Sequence, residues 1–266
     1  MSKPKDSVSR TLMIALGVCL VCSLLVSTAA VTLSSRTKEN MRLDKIKNIL
    51  RAGDLMGEKI DVAKTYEEKV EPVLIDLNSG NIMPQDQYTE DLNPETFDVK
   101  KIAQDPKYSK DIPSGEDPAQ LGRRPQYNVA YLVKDGDALQ KVILPVYGKG
   151  LWSTLYGFLA LNGDLKTVSG ITFYEHKETP GLGGEVDNPR WQGLWKGKKA
   201  LTENGDIKIQ VLKGAVEPSN PNANSQIDGL SGATITTRGV DLFVKYWLGD
   251  QGFGPFLDKL REGDAQ

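Results

Sequence analysis

The residues whose types and spacing could do chemistry are Asp228-Gly229-Leu230-Ser231-Gly232-Ala233-Thr234. A carboxylate, a glycine turn and two hydroxyls run there directly into a segment whose apolar residues Val240, Phe243, Val244, Trp247 and Leu248 recur at helical spacing. Thr234 therefore stands at the first turn of an amphipathic helix. A helix start leaves backbone N–H groups unpaired and carries the positive end of the macrodipole, so a phosphate beside Thr234 would find donors already in place. Capping of the helix by Ser231 or Thr234 accounts for the same residues, because Ser and Thr are favoured N-caps. Both accounts fit the residues taken alone.

Two other stretches have a similar character. Gly148-Lys149-Gly150-Leu151-Trp152-Ser153 combines glycines, which let backbone approach a ligand, with the flat apolar surface of Trp152. His176-Lys177-Glu178-Thr179-Pro180-Gly181-Leu182-Gly183-Gly184 leaves an apolar run as a rigid loop able to lay peptide groups against a planar ring. Each also reads as an ordinary connecting loop.

Other chemistries lack their residues. No G-x-G-x-x-G follows a strand pattern, and there is no G-x-x-x-x-G-K-[ST], H-E-x-x-H or G-x-S-x-G. Both cysteines, Cys19 and Cys22, lie in an apolar stretch near the N-terminus, and His176 is the single histidine. The remainder of the chain thus cannot build a self-contained iron–sulfur cluster, a disulfide framework or a conventional zinc site. With a formal net charge of −2 and no basic run interleaved with aromatics, nothing points to nucleic acid.

The elements that must position these residues can be read in outline. Leu12 to Leu33 is uncharged and long enough to cross a bilayer core of about 30 Å, and it exceeds a signal-peptide core, so a retained membrane helix is expected over 11–34 after a tail at 1–10. Cys19 and Cys22 share a face of that helix; as a Cys-x-x-Cys pair they make half of a metal or redox site, and as small residues they suit helix packing. Met41, Leu43, Ile46, Ile49, Leu50 and Leu55 predict a tethering helix within 35–60. An extended or inserted region is expected over 61–126, with a strand from Val70 to Leu77 and a polar, proline-bearing excursion after it. From 127 onward hairpin signals dominate. Tyr127–Val133 and Lys141–Tyr147 flank Asp135-Gly136, Leu155–Leu161 and Leu165–Tyr174 flank Asn162-Gly163, and Ile207–Leu212 reads as a further strand. The fold class is α+β: a single membrane helix, then a domain with a mainly antiparallel sheet and flanking helices, its core at 127–266.

These three stretches resemble the FMN-binding domain family, and over essentially the whole chain the sequence resembles the C subunits that this family contributes to the sodium-translocating NADH:quinone reductases. The family pattern is an Asp ahead of Ser/Thr-Gly-Ala-Thr, matched by Asp228 through Thr234, while Glu178-Thr179-Pro180-Gly181-Leu182-Gly183 and Gly150-Leu151-Trp152 match its two loops. The resemblance implies FMN joined covalently to Thr234 by a phosphoester, made by a separate flavin transferase that uses FAD and magnesium and reads Asp228, Ser231, Gly232, Ala233 and Thr234. It implies cofactor contacts from Ser231, Gly232, Ala233, Trp152, Glu178, Thr179, Pro180, Gly181, Leu182 and Gly183. Glu178 would tune the ring or only anchor its loop.

By the same resemblance the chain is an electron relay between neighbouring subunits of an ion-translocating oxidoreductase, with quinone as the final acceptor, and is not itself the site of NADH oxidation. Orientation divides the readings. Lys3, Lys5 and Arg10 precede the span, but Arg36, Lys38, Arg42, Lys45 and Lys47 follow it, and counting positive charges puts the large domain in the cytoplasm. The family implies a bacterial inner-membrane protein with its flavin domain on the periplasmic side. Two alternatives stand beside it: the G subunit of a related ferredoxin- and NAD-linked complex, expected to be shorter, and a membrane-anchored binding module without redox function.

Overall fold

The computed structural model describes residues 7–57 and 60–263. Lys3, Lys5 and most of the tail at 1–10 lie outside the described residues. Two compact units are present, Met1–Asp44 and Lys45–Gln266. The first is helical. It contains most of α1 (Val8–Ala52), which among the described residues is the one helix long and apolar enough to cross a membrane. Cys19 and Cys22 are exposed on it. The helix expected within 35–60 is the continuation of α1 and not a separate element. No glycine or proline interrupts residues 36–52, so the helix runs on to Ala52 and ends where Asp54 adopts a φ of 53°.

The second unit begins with the last turns of α1, whose Ile46, Ile49, Leu50 and Ala52 are buried. After α2 (Val62–Lys69), capped by the Asp61 carboxylate on the Lys64 amide, comes β1 (Val70–Asp76). The excursion holds α3 (Val99–Gln104) and the small antiparallel pair β2 (Ser109–Asp111) and β3 (Arg123–Pro125). Then follow β4 (Tyr127–Asp135), β5 (Ala138–Lys149), β6 (Thr154–Asn162) and β7 (Val168–Glu175). The chain closes with α4 (Pro189–Gly193), β8 (Gln210–Val211), β9 (Gln226–Ile227), α5 (Thr234–Leu248) and α6 (Gly254–Glu262).

Strands β1-β4-β5-β6-β7 form one antiparallel sheet in that order. Both faces are covered, which is why its strands read as long apolar runs. In β5, Val142, Leu144 and Val146 join the core that holds α5 and α6, while Ile143 joins the core that holds the end of α1. The fold is α+β with a mainly antiparallel sheet; β8 and β9 make a short parallel pair.

Three expectations need correction. The β6–β7 connection is not a two-residue turn and β7 begins at Val168, not Leu165. The Asp164 carboxylate captures the Lys166 and Thr167 amides at 3.0 and 2.8 Å, and Leu165 turns inward at a φ of 56°. The strand expected over Ile207–Leu212 shrinks to Gln210–Val211, because Ile207 bridges Leu201 instead. The region 61–126 is not wholly an insertion: β1 is an edge strand of the main sheet, and the buried Arg124 pins the excursion to it. That guanidinium donates to Gln251 O, Asn78 Oδ1 and Leu77 O at 2.5, 2.8 and 2.8 Å.

Candidate functional site

Helix α5 starts at Thr234, and its position on the sheet is set by close backbone contact. A Cβ at Gly239 would lie 2.3 Å from Lys149 O, so the helix start sits directly over the end of β5. Farther along, Trp247 Nε1 donates to Tyr147 O at 2.7 Å, and Val240, Phe243, Val244, Trp247 and Leu248 are all buried. The loop after β5 is therefore brought to the N-terminus of α5.

The turn before the helix is Leu230-Ser231-Gly232-Ala233. Gly232 has a φ of 71° and the Ala233 amide donates to Leu230 O, as in a type II turn. Ser231, Gly232 and Thr234 are exposed; Ala233 is buried. Neither Ser231 nor Thr234 caps the helix. Ala233 occupies the capping position, and no side chain bonds the first-turn amides. Capping was the simpler account of these hydroxyls in the sequence, and the turn overrules it by pointing Ser231 to solvent and placing Thr234 inside the helix. The tie that capping would have supplied comes from within the helix: Thr237 Oγ1 accepts from the Leu230 amide at 3.0 Å.

Asp228 is held firmly. Its Oδ1 accepts from the Val216 amide at 2.7 Å and its carbonyl from Trp191 Nε1 at 2.8 Å.

Glu178 joins the three stretches. It is 5 % exposed. Its Oε1 accepts from the Trp152 and Ser153 amides at 2.9 and 3.1 Å, and its Oε2 from the Leu151 amide at 3.2 Å and from Thr236 Oγ1 at 2.6 Å. Burial alone would raise the carboxyl's pKa. The Thr236 hydroxyl and the three amides outweigh it and hold the pKa below its ordinary value, so the group stays ionised at neutral pH. Glu178 is thus a loop anchor in this arrangement. His176 is hydrogen-bonded at both ring nitrogens: Nδ1 accepts from the Glu178 amide at 3.2 Å, which leaves Nε2 to donate to Asp187 at 2.8 Å.

The second loop closes on Thr179 O, which accepts from the Leu182 and Gly184 amides at 3.1 and 2.9 Å, with Gly181 at a φ of 76°. Thr179, Pro180, Gly181 and Leu182 are exposed, and Gly183 is buried. A Cβ at Gly232 would lie 2.9 Å from Leu182 Cδ2, so this loop meets the turn before Thr234. All three stretches therefore converge, and Leu151, Trp152 and Leu182 on them, with Ile235 in the first turn of α5, are exposed, as is Thr234. Singly exposed apolar residues are ordinary, but four on converging stretches beside an uncapped helix start form a surface suited to a planar ring carrying a phosphate.

Thr236 and Thr237 escaped the reading of the sequence. The signal was present: they lie four and three residues before Val240, on the backward extension of the buried stripe. Among the described residues no group of His, Cys, Asp and Glu could hold a metal.

Comparison with known proteins identifies the family. Residues 150–249 match the family model for the FMN-binding domain. The chain is 46% identical over 265 residues to the C subunit of the Na(+)-translocating NADH-quinone reductase of Pseudomonas aeruginosa, covering 98% of this chain and 99% of that protein. It is 43% identical to the corresponding protein of Yersinia pestis, covering 98% and 97%. The crystal structure of Shewanella oneidensis NqrC superposes with a TM-score of 0.75 at 33% identity, covering 84% of this chain and 99% of that one.

Proposed function

The chain belongs to the NqrC family, the C subunits of the sodium-translocating NADH-quinone reductases, and on that premise we propose that it carries FMN as a phosphoester of Thr234 and relays electrons within the complex. It is a membrane-anchored subunit of an oxidoreductase complex, and its partners are the other subunits. Alignment with NqrC relatives over nearly their whole length favours this complex over the shorter ferredoxin-linked G subunit.

One observation carries the assignment of Thr234. It is exposed at the first turn of a helix whose amides no side chain caps, while the neighbouring Thr236 and Thr237 are buried with their hydroxyls engaged. The residues present fit the group. The uncapped amides of Ile235 and Thr236 and the positive helix end suit the phosphate. Trp152, Pro180, Gly181 and Leu182 offer a flat, partly apolar wall to the ring, and Ile235 helps exclude water from it. Bound FMN supplies one-electron exchange, which lets such a subunit serve as a relay. Maturation follows from the same hydroxyl: a flavin transferase with FAD and magnesium forms the bond from Thr234 Oγ1 to the FMN phosphorus as the bond to AMP breaks, and the hydroxyl proton is lost. Asp228, Ser231, Gly232 and Ala233 are the residues such an enzyme would read. On this reading the flavin domain lies on the periplasmic side of the inner membrane.

The test is a denaturing gel viewed under ultraviolet light after co-production with a flavin transferase. Wild-type chain should fluoresce and Thr234→Val should not. A dark wild-type band overturns covalent attachment, and a fluorescent variant overturns the choice of Thr234. Peptide mass spectrometry locates the adduct independently.

A further inference from the structure

Thr236 lies beyond the residues that the family motif names, yet it makes the bond on which the site closes. We propose that Thr236 is a positioning residue for the cofactor: by donating its hydroxyl to Glu178 it fixes the first turn of α5, and with it Thr234, against both flanking loops.

A buried threonine in a helix ordinarily returns its hydroxyl to a carbonyl three or four residues back. Thr236 does not. It is 1 % exposed, and its Oγ1 donates instead to Glu178 Oε2, 58 positions away, at 2.6 Å. That is the length of a charge-assisted O–H···O⁻ bond, stronger than a neutral one. The carboxylate it reaches already gathers the Leu151, Trp152 and Ser153 amides, so one hydroxyl links α5 to both loops at once.

A second residue bears on the same bond. A Cβ at Gly183 would lie 2.6 Å from Thr236 Oγ1 and 2.8 Å from Glu178 Oε2. Gly183 has no positive φ to explain its identity; the space it leaves is where this bond passes. The Thr236 hydroxyl and the missing side chain at position 183 thus serve one contact. Thr234 has no comparable tie of its own, so its placement relative to Trp152 and to Thr179–Leu182 is inherited from Thr236.

This inference rests on Thr234 as the flavin site, and the experiment keeps the two apart. Full-length wild type, Thr236→Val, Thr236→Ser and Gly183→Ala are prepared both without and with a flavin transferase. On unmodified chains, amide exchange at residues 150–153 and 179–184 should quicken about ten- to a hundredfold in Thr236→Val, the range for a lost bond to a charged group, and likewise in Gly183→Ala. Thr236→Ser should match wild type. On flavin-bearing chains, fluorescence anisotropy of the ring should fall in Thr236→Val and Gly183→Ala and recover in Thr236→Ser. Equal exchange in the Val and Ser variants overturns the proposal whether or not flavin is attached. Faster exchange with unchanged anisotropy also overturns it, because the bond then serves only the fold. Absence of flavin from wild type overturns the proposed function, and with it the cofactor role given to Thr236.

Discussion

The hydroxyl of Thr237 accepts a hydrogen bond from the backbone amide of Leu230 across the turn that presents Thr234. A helix usually secures its entry with a residue in front of it. Here the brace comes from inside the first turn, and the residues in front are left free. That inversion explains how Ser231, Gly232 and Thr234 can be exposed while the backbone around them is fixed: Leu230 and Ala233 are buried on either side, and Asp228 is held by Val216 and Trp191.

Removing that brace should cost stability without touching the Thr234 hydroxyl. Thr237→Val keeps the shape but leaves the buried Leu230 amide unsatisfied, at about 1–3 kcal/mol. Thermal unfolding of the full chain should show a lower midpoint, and flavin attachment at Thr234 should persist, reduced in yield. An unchanged midpoint would show that the Leu230 amide finds water when the hydroxyl is gone.

The acid side of the stability profile should report Glu178. Its pKa is lowered in the folded chain from an ordinary 4.5: burial opposes the shift, and the Thr236 hydroxyl with the Trp152, Ser153 and Leu151 amides overrides it. A carboxyl depressed in the folded state contributes stability that is complete above its unfolded pKa and disappears as pH falls through the folded one. Wild type should therefore exceed Glu178→Gln most at neutral pH, with the gap narrowing only below about pH 4.5. Denaturant midpoints of both chains across pH 3 to 7 check this, and a gap independent of pH contradicts it.

The excursion should come loose when Arg124 is shortened. Arg124→Met retains much of the apolar stem but abandons the carbonyls of Leu77 and Gln251 and the amide oxygen of Asn78. The buried Leu77 carbonyl is left unpaired, while Asn78 and Gln251 are exposed and can turn to water, so a loss of about 1–3 kcal/mol is expected. Limited proteolysis should cut sooner within residues 81–126 than in wild type, and fragments from the sheet should appear only later.

What the sequence made legible, and what it did not, divides by the range of the forces involved. Helix α5 and the hairpin of β4 and β5 announce themselves, because Val240 to Leu248 repeat at helical spacing and Asp135-Gly136 is a local turn. Thr236 and Thr237 could have been found by continuing the stripe backward past Val240. Glu178 as the hub of two loops and a helix could not: most of its partners are backbone amides more than twenty residues away, and amides leave no mark in composition. The connection after β6 misleads for the opposite reason. Asn162-Gly163 is a strong turn signal, and Asp164, one residue on, outcompetes it by taking two amides.

Trp152 divides its roles between backbone and side chain. Its backbone amide is fixed by Glu178, while the side chain stands free and the residue is 66 % exposed. Trp152→Ala keeps the amide and removes only the ring, so the unmodified chain should melt within about 0.5 kcal/mol of wild type, as surface substitutions do. A ring lying on Trp152 would lose that neighbour, and indole in contact with flavin quenches its emission. Flavin-bearing Trp152→Ala should therefore be brighter than wild type when native and equal to it after denaturation, when neither chain holds the contact. Native emission that matches wild type would place the ring on the Thr179–Leu182 side of the site alone.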